Sequence, residues 1–473
     1  MFLSIMSGIF KAYDVRGVYG SELTEKDAYM IAYYFVKFTG LRKLKVSFDA
    51  RESSEVLCIY FMRGLIDARC EPFCQGVSST PCFYYSLFDG VNSGVMITAS
   101  HNSKEYNGFK FMLGLESFDS RNGLLDVEKL VCEDLDDLNS GYARVEEELK
   151  GVKLDDFIRQ NGIDYSSKLN SYIAFLERYY KKILNSKERD VLRNLNLVFD
   201  FSSGVSSLAL VPFFEKIGLD FVALNEKPDG SFPVHKPDPK EAKEYLKSRD
   251  DLKADCFMVF DGDGDRVLFY DEKRNQVLPD YPIALLIDYF ITKGSHFVVD
   301  LRISRVVSDM CKDRGALLEL LRVGRSFYQD FMKKNDCVFG AELSGHLFFR
   351  DFKYLDNPDF AVIHMLKIFA REILDKGEKF VFSKMLERYK KYYKLPEESL
   401  VVNDSSRVLE AIKKKYKKSL ISEVDGYSFD AGEYWFNVRR SNTEPRMRVS
   451  FEGLHEKKTK DEFNNLIEFI KGV

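Results

Sequence analysis

The chain has 473 residues, of which 45% are hydrophobic and 30% are charged, and its formal net charge is −4. This length exceeds what one hydrophobic core usually organises, so we expect several domains. The composition excludes a disordered or fibrous chain. Because basic and acidic residues are mixed without a basic excess, the composition also argues against nucleic acid as a partner.

The cysteines and the first residues of the chain indicate the cellular compartment. The eight cysteines fall at irregular spacings without a CxxC pair, which is typical of a reduced cytoplasm rather than of a disulfide framework. Residues 1–10 are apolar but lack the basic region and cleavage site of a signal peptide. No uncharged apolar run reaches the roughly 18 residues that cross a bilayer. We therefore expect a cytoplasmic protein without a membrane partner.

Three segments along the chain share one pattern. In residues 44–54, 197–207 and 296–308, an apolar run ends in Asp and a short polar turn precedes a helical stretch. A buried strand followed by a capped helix produces this pattern, so its recurrence at Asp49, Asp200 and Asp300 predicts three related α/β units. Asp200 is equally compatible with a helix cap and with a ligand contact.

The segments between and after these units indicate boundaries. Residues 133–162 are polar and acidic and precede a helical stretch at 170–184, so we expect a domain boundary there. After the third unit, Leu395 and Pro396 interrupt a Lys-rich helical pattern. The compact segment that follows predicts a fourth, smaller α+β domain.

Residues 261–266, Asp-Gly-Asp-Gly-Asp-Arg, lie between apolar runs at 256–260 and 267–270. Carboxylates at alternate positions of an extended loop point to one side, and glycine lets the backbone bend around a small cation. Asp261, Asp263 and Asp265 therefore predict a Mg²⁺ site. An EF-hand is excluded because Arg266 stands where that loop requires glycine. An aspartyl-phosphate phosphatase is disfavoured because Asp265 follows the DxDG segment in place of Thr or Val.

Residues 98–102, Thr-Ala-Ser-His-Asn, follow an apolar run at 94–97 and precede Glu-Tyr-Asn-Gly-Phe-Lys at 105–110. Taken alone, Ser100 is as compatible with a turn cap as with a functional role. A hydrolase nucleophile is disfavoured because the GxSxG elbow is absent.

Together these segments resemble the α-D-phosphohexomutases, most closely the phosphomannomutase/phosphoglucomutase members. Residues 98–110 resemble the family's phosphoserine loop, residues 261–266 its metal loop, residues 340–346 its sugar-binding loop and residues 439–445 its distal phosphate-binding loop. Residues 10–17 and 228–239 also resemble family segments, and the order along the chain is the family's order.

The resemblance implies an α/β fold, with three related mixed α/β domains and a smaller C-terminal α+β domain around a central cleft. We expect a phosphoserine-loop domain at residues 1–160 and a metal-binding domain at 161–275. A sugar-binding domain would follow at 276–385, and a phosphate-binding domain at 386–473.

The implied reaction interconverts the 1- and 6-phosphates of mannose or glucose through phosphorylated Ser100. Hexose 1,6-bisphosphate would be the intermediate and activator, and Mg²⁺ would bind phospho-Ser100 and the three aspartates. The expected partner is a small hexose phosphate, and the expected assembly is a monomer or weak oligomer. The catalytic candidates are Ser100, Lys110, Arg16 and His346. The substrate-binding candidates are Tyr13, Glu342, Ser344, Arg325, Arg439, Ser441, Asn442 and Thr443.

Two departures from the family pattern leave questions open. Arg325 stands where the resemblance leads us to expect His, and Arg302 where Lys is usual. Because arginine does not readily exchange a proton at neutral pH, proton transfer would fall to Lys110, Arg16 or His346, and Lys110 would need a lowered pKa to act as a base.

The substrate also has alternatives. A phosphoglucosamine mutase is one, although Thr98 stands where those members usually carry Ser. A sugar-phosphate binding protein that has lost turnover is another, prompted by Arg325 and Arg302 and disfavoured by the intact Ser100, Lys110 and aspartates.

Overall fold

The computed structural model describes residues 8–133, 135–377, 379–440 and 446–473. It contains two compact units, Met1–Val277 with Leu355–Phe382, and Leu278–Tyr354 with Ser383–Val473. Among the described helices, none is both long enough and apolar enough to cross a membrane.

The first sheet and its helices occupy the N-terminal third of the chain. The elements are β1 Val15–Val18, α1 Glu25–Thr39, β2 Lys43–Phe48, α2 Ser54–Asp67, β3 Glu71–Val77, α3 Thr80–Ser86, β4 Gly94–Ile97, β5 Tyr106–Leu113, β6 Glu116–Phe118, α4 Leu124–Glu133, α5 Leu135–Leu149, α6 Leu154–Asn161 and β7 Asp164–Tyr165. The strand order is β1-β5-β4-β2-β3-β7, with β6 on β5. Helices α1 and α2 bury apolar faces in the same core as these strands.

The second sheet and its helices come next along the chain and belong to the first unit. Its elements are α7 Leu169–Ile183, α8 Ser186–Leu192, β8 Leu197–Asp200, α9 Ser207–Ile217, β9 Phe221–Leu224, α10 Ala242–Ser248, β10 Cys256–Phe260 and β11 Val267–Tyr270. Every residue of β10 and β11 is buried, as expected of strands covered on both faces. The predicted strands on either side of the acidic loop are confirmed.

The second unit begins with the third sheet. Its elements are α11 Asp280–Phe290, β12 His296–Asp300, α12 Arg305–Asp313, β13 Leu317–Leu321, α13 Arg325–Asn335, β14 Phe339–Ala341 and β15 Leu347–Phe349. Next along the chain come β16 Leu355–Asp356, α14 Pro358–Lys376 and α15 Phe382–Leu386. Residues 355–382, which the sequence assigned to the sugar-binding domain, belong to the first unit.

The three sheets repeat one four-strand arrangement. In the first, β2 is parallel to β3 and β4, and β4 is antiparallel to β5. Strands β8, β9, β10 and β11 repeat these pairings, and so do β12, β13, β14 and β15. The prediction of three related α/β units is therefore confirmed.

The recurring aspartates have one local role in common. Each carboxylate accepts the N–H two residues ahead: Arg51 N–H for Asp49 at 3.1 Å, Ser202 N–H for Asp200 at 2.9 Å and Arg302 N–H for Asp300 at 3.0 Å. Such a bond stabilises the turn between strand and helix. Asp200 is thus a turn cap, and it also accepts hydrogen bonds from Asn225 and His235.

The last part of the second unit is an antiparallel sheet with helices. Its elements are β17 Tyr393–Lys394, β18 Glu398–Leu400, α16 Ser405–Lys415, β19 Leu420–Ser422, β20 Tyr427–Asp430, β21 Tyr434–Arg440, β22 Met447–Gly453 and α17 Glu456–Gly472. The strand order is β17-β22-β21-β20-β19, with β18 on β22. Phe429, Phe436, Phe451 and Leu466 form its core, in line with the α+β expectation.

Most of the acidic stretch at 133–162 packs into the core of the first sheet. Helices α5 and α6 bury Val145, Leu149, Leu154 and Phe157 in the core of the first sheet. Burying a side chain of this size contributes roughly 1.5–3 kcal/mol. The acidic composition did not indicate this amphipathic pattern, because it reflects exposed residues such as Glu146, Glu147, Asp155 and Asp156. Strand β7, which follows the stretch, pairs with β3.

Candidate active site

Corresponding loops of the three repeats carry the predicted motifs. The Ser100 loop joins β4 to β5, the carboxylate loop joins β10 to β11, and the Glu342 loop joins β14 to β15. In each repeat the loop follows the third strand of the shared arrangement, at its carboxyl end. Ligands in open α/β sheets bind at this edge, so the repetition explains why one kind of connection holds three different chemical groups.

Ser100 is buried and lies against the carboxylate loop. Its hydroxyl donates a 2.9 Å hydrogen bond to Asp261 Oδ2, and its N–H donates to Thr98 Oγ1 at 2.8 Å. Its backbone has φ +52°, an uncommon left-handed conformation for a residue with a side chain. His101 Nδ1 lies 3.3 Å from the Ser100 hydroxyl. The turn therefore presents the Ser100 hydroxyl to a carboxylate and an imidazole.

The three predicted metal-ligand carboxylates come together as expected from the sequence. Asp261, Asp263 and Asp265 are fully buried, and each offers an oxygen within 4.8 Å of the others. Glycine is required inside this loop, because a Cβ at Gly262 would lie 2.8 Å from the carbonyl oxygen of Ser100. Gly264 has φ +74°, and a Cβ there would lie 2.3 Å from Ser206 Oγ.

Lys110 bridges two of the carboxylates. Its Nζ donates to Asp263 Oδ2 at 2.6 Å and to Asp265 Oδ2 at 2.5 Å. Thr80 Oγ1, at the start of α3, also donates to Asp263 Oδ2, at 2.7 Å. The other oxygen of Asp263, Oδ1, is buried and has no hydrogen-bond partner among the described residues.

The electrostatics of this cluster favour a bound cation. Burial raises the pKa of Asp261 well above its usual value, and repulsion from Asp265 and Asp263 raises it further. Burial alone would lower the pKa of Lys110, but attraction to Asp263, Asp265 and Asp261 outweighs it, so the pKa is raised overall. Lys110 is therefore a cation here, which is contrary to the lowered pKa that a lysine base would need.

The donor set fits Mg²⁺. Hard carboxylate oxygens are the ligands that this ion prefers. Lys110 and Arg266, whose Nε lies 3.9 Å from Asp261 Oδ2 and 3.8 Å from Asp265 Oδ1, set two positive charges against three carboxylates. Asp263 Oδ1 is an acceptor that still lacks a donor among the described residues. Buried polar atoms of this kind are rarely left without a partner in proteins.

The structure brings Arg16 to the Ser100 loop. Strand β1 pairs with β5 so that Arg16 lies opposite Gly108. The Arg16 guanidinium donates to Asn102 Oδ1 at 3.0 Å and pairs with Asp14, while its Nε is buried without a hydrogen-bond partner in the described part of the chain. Tyr13, another predicted substrate contact, is partly exposed just before this strand.

Sequence reasoning missed Arg51. Its side chain is fully buried and is oriented by Asp49, whose Oδ2 accepts from Arg51 Nε at 3.0 Å. The same Oδ2 accepts from Thr98 Oγ1 at 2.7 Å. The recurring Asp-x-Arg pattern at 49–51 and 300–302 was the available signal, but nothing in the sequence showed which groups these arginines contact.

In the second unit, Glu342 organises the predicted sugar-binding loop. Its Oε1 accepts from the Gly324 N–H at 2.8 Å and its Oε2 from Ser344 Oγ at 3.0 Å. Its own N–H donates to the carbonyl of His346 at 2.9 Å. Glu342 and His346 are buried. Arg325, which starts α13 directly after Gly324, is thereby placed beside this loop.

Arg439, predicted to hold the distal phosphate, is paired with an unpredicted residue, Glu397. Glu397 Oε1 accepts hydrogen bonds from Arg302 at 2.8 Å, from Arg439 at 3.4 Å and from Ser450 Oγ at 3.1 Å. Arg439 Nε is buried without a hydrogen-bond partner among the described residues. The other predicted members of this loop, Ser441, Asn442 and Thr443, lie outside the described residues.

The chain is similar to known proteins along most of its length. Family models match three parts of it: "Phosphoglucomutase/phosphomannomutase, alpha/beta/alpha domain I" at residues 7–117, domain II at 171–274 and domain III at 278–392. A curated phosphomannomutase of Methanocaldococcus jannaschii is 31% identical over 99% of this chain and 98% of its own length. A phosphomannomutase/phosphoglucomutase of Pseudomonas aeruginosa is 27% identical over 99% of this chain and 97% of its own.

Solved structures show the same fold. A phosphoglucomutase/phosphomannomutase family protein of Burkholderia thailandensis superposes with a TM-score of 0.77 at 22% identity, covering 98% of this chain and 97% of its own. The pp63/parafusin phosphoglucomutase of Paramecium gives a TM-score of 0.73 at 16% identity, covering 97% of this chain and 94% of its own.

The triple α/β repeat and the buried serine beside a carboxylate triad define an enzyme of the phosphotransfer class. The matches to family models and to curated relatives identify the family within this class. The chain belongs to the phosphoglucomutase/phosphomannomutase family.

Proposed function

We propose that this protein interconverts the 1- and 6-phosphates of mannose or glucose through phosphorylated Ser100. The observation that carries this proposal is the Ser100 hydroxyl, which is held 2.9 Å from Asp261 inside a buried carboxylate cluster. A buried serine beside metal-ligand carboxylates and a lysine suits phosphoryl exchange, in which the protein mainly positions groups and stabilises charge. A hydrolytic serine would instead need an oriented general base and an oxyanion hole.

The reaction has two transfers. In the first, the bond between phosphorus and the Ser100 oxygen breaks, a bond to the free sugar hydroxyl forms, and the hydroxyl proton leaves to a base. The Ser100 oxygen takes up a proton as it leaves, and the resulting hexose 1,6-bisphosphate reorients. In the second transfer the bond between phosphorus and the other sugar oxygen breaks and a bond to the Ser100 oxygen forms, while Ser100 loses its proton to a base and the freed sugar oxygen gains one. The same bisphosphate would activate unphosphorylated enzyme.

The residues divide between these tasks. Asp261, Asp263 and Asp265, with phospho-Ser100, would hold Mg²⁺, which supplies charge neutralisation at a phosphoryl oxygen when bound. Lys110 and Arg16 would spread the negative charge of the transferring group. The bonds of Lys110 to two carboxylates support a cationic role for it and leave proton transfer to other groups.

Other predicted residues would recognise the substrate. Glu342 and Ser344 would bind sugar hydroxyls, with Tyr13, Arg325 and His346 as further contacts, and His346 remains the candidate for proton exchange. Arg439, with Ser441, Asn442 and Thr443, would grip the phosphate that is not reacting, as a guanidinium fork and hydroxyl groups do.

We also propose the four-domain division at 1–160, 161–275, 276–385 and 386–473. The four sheets of the described residues support the number of domains. The eight cysteines are free thiols, which supports a cytoplasmic location. A small hexose phosphate would be the partner of a monomer or weak oligomer.

Coupled assays test the function. Mannose 1-phosphate, glucose 1-phosphate and glucosamine 1-phosphate are each supplied with Mg²⁺ and a trace of the matching 1,6-bisphosphate. We expect turnover of the mannose or glucose compound, and loss of that turnover in Ser100→Ala. The exposed Ser248→Ala is the matched control. Turnover of glucosamine 1-phosphate alone would favour the phosphoglucosamine alternative, and turnover by Ser100→Ala would refute the phosphoserine route.

A further inference from the structure

The Ser100 loop is held by an arginine that belongs to a different turn of the first repeat. Arg51 follows β2, directly after the recurring Asp49, and its side chain is fully buried. It donates to the carbonyl oxygens of Ser100 at 2.8 Å and Asn102 at 2.6 Å. It also donates to those of Ser103 at 2.6 Å and Tyr106 at 3.0 Å.

These bonds use the whole guanidinium. Arginine has five N–H donors in a planar fork. Four of the Arg51 bonds end on backbone carbonyls of the loop, and the fifth, from Nε, ends on Asp49 Oδ2 at 3.0 Å. Because all five donors are already used, the Arg51 side chain cannot also bind a phosphate in this arrangement. Its contacts are those of a scaffold for the loop.

Asp49 and Thr98 connect this scaffold to Ser100 from the other side. Asp49 Oδ2 accepts from Thr98 Oγ1 at 2.7 Å, and Thr98 Oγ1 accepts from the Ser100 N–H at 2.8 Å. The carbonyl of Ser100 is therefore held by Arg51, and its N–H by Thr98. Ser100 needs this restraint because its left-handed φ of +52° costs energy that the surroundings must offset.

A loop of the second repeat packs against the same turn. The ring of Phe232 lies 5.0 Å from the Arg51 guanidinium. A Cβ at Gly230 would lie 2.3 Å from the carbonyl oxygen of Ala50, so the two backbones are in close contact. The loop at 228–239, which resembles a family segment, thus packs against the arginine that holds the Ser100 loop.

We propose that Arg51, oriented by Asp49 and acting together with Thr98, is a positioning residue that fixes the Ser100 backbone for phosphoryl exchange. The inference rests on the proposed function of Ser100. Because all five Arg51 donors are used within the chain, its loss should lower kcat and the rate at which Ser100 is phosphorylated, while KM stays nearly unchanged. A misplacement of about 1 Å lowers a rate by roughly 100-fold.

Arg51→Lys and a pair of Thr98 variants test this role. Lysine keeps the charge but has a single nitrogen that cannot span four carbonyls. Thr98→Val removes the hydroxyl at nearly constant shape, and Thr98→Ser retains it. For Arg51→Lys we expect kcat to fall about 100-fold with KM within about threefold, and for Thr98→Val a smaller fall that Thr98→Ser does not show.

Two further measurements separate positioning from folding. Intact-mass kinetics follow phosphorylation of Ser100 by glucose 1,6-bisphosphate, and circular dichroism follows thermal unfolding. Slow phosphorylation in folded Arg51→Lys and Thr98→Val supports the proposal. Native kcat in Arg51→Lys overturns it, and so does a Thr98→Val protein as active as Thr98→Ser. If Arg51→Lys does not fold, the comparison of Thr98→Val with Thr98→Ser tests the proposal by itself. A wild-type chain that turns over no hexose phosphate would instead refute the proposed function.

Discussion

The hydroxyl of Ser100 donates to Asp261 Oδ2 at 2.9 Å across 161 positions of sequence. This one contact joins the loop after β4 to the loop after β10, so the first two repeats meet at the group that would carry the phosphate. The carboxylate of Asp261 therefore both orients the serine and belongs to the cluster that fits Mg²⁺. Removing its charge tests both parts of that statement.

We expect Asp261→Asn to lose most of its turnover and to bind divalent cation more weakly. Replacing a charged metal ligand by an amide removes transition-state charge stabilisation, which lowers kcat on the order of 100- to 1000-fold. Activity assays at increasing Mg²⁺ concentration measure the loss of turnover. Electron paramagnetic resonance with Mn²⁺ measures the affinity for the divalent cation. The exposed Asp250→Asn should match the wild type in both. An Asp261→Asn protein with native Mn²⁺ affinity would contradict the metal assignment.

Gly262→Ala should separate the two loops. The added Cβ would lie 2.8 Å from the carbonyl oxygen of Ser100, and that contact forces a backbone shift. We expect kcat to fall about 100-fold, as for other small displacements of a reacting group, with the far-ultraviolet circular dichroism retained. Gly472→Ala, which meets no atom within 4 Å, is the control. Equal kcat values for the two variants would show that this contact does not matter.

Glu397→Gln should turn the Arg302 and Arg439 pair into a better anion site. The Glu397 carboxylate accepts hydrogen bonds from both guanidiniums, and its loss should lower the free energy of unfolding by about 1.5 kcal/mol. Inorganic phosphate at constant ionic strength should then raise the Tm of Glu397→Gln more than that of the wild type, because bound ligand stabilises the folded state. The exposed neighbour Glu398→Gln should behave like the wild type. A phosphate response equal in all three proteins would count against the prediction.

His364 should make the fold sensitive to acid. Its ring is buried, its Nε2 lies 3.1 Å from the Tyr179 hydroxyl, and burial lowers its pKa from 6.5 to about 3. A folded-state pKa below the unfolded one means that the unfolded chain binds the extra proton. Stability from this group is therefore complete above pH 6.5 and is lost as the pH falls toward 3.

The measurement is urea unfolding at pH 7 and pH 4.5. For the wild type, His364 alone should lower the free energy of unfolding by about 2–3 kcal/mol between these pH values. His364→Gln should lack this component, and the exposed His455→Gln should retain it. An identical loss in all three proteins would exclude His364 as the source.

The sequence alone determined the features that depend on neighbours in the chain. The apolar runs at 256–260 and 267–270 predicted the strands that hold the carboxylate loop, because a buried strand needs a continuous apolar run. The spacing of Asp261, Asp263 and Asp265 predicted the cluster for a similar local reason. The recurrence of Asp49, Asp200 and Asp300 predicted the repeat, since each caps the turn that follows its own strand.

Only the tertiary structure decided which distant groups meet. Arg51 contacts carbonyl oxygens about 50 positions away, and every residue has a carbonyl, so no side-chain pattern marks the partner. Lys110 could be identified as a cation only after its carboxylate neighbours were in place. The acidic composition of residues 133–162 did not indicate that α5 and α6 bury apolar side chains in the first core. Local patterns determine elements and turns, whereas a side chain's burial and charged neighbours depend on how the repeats pack.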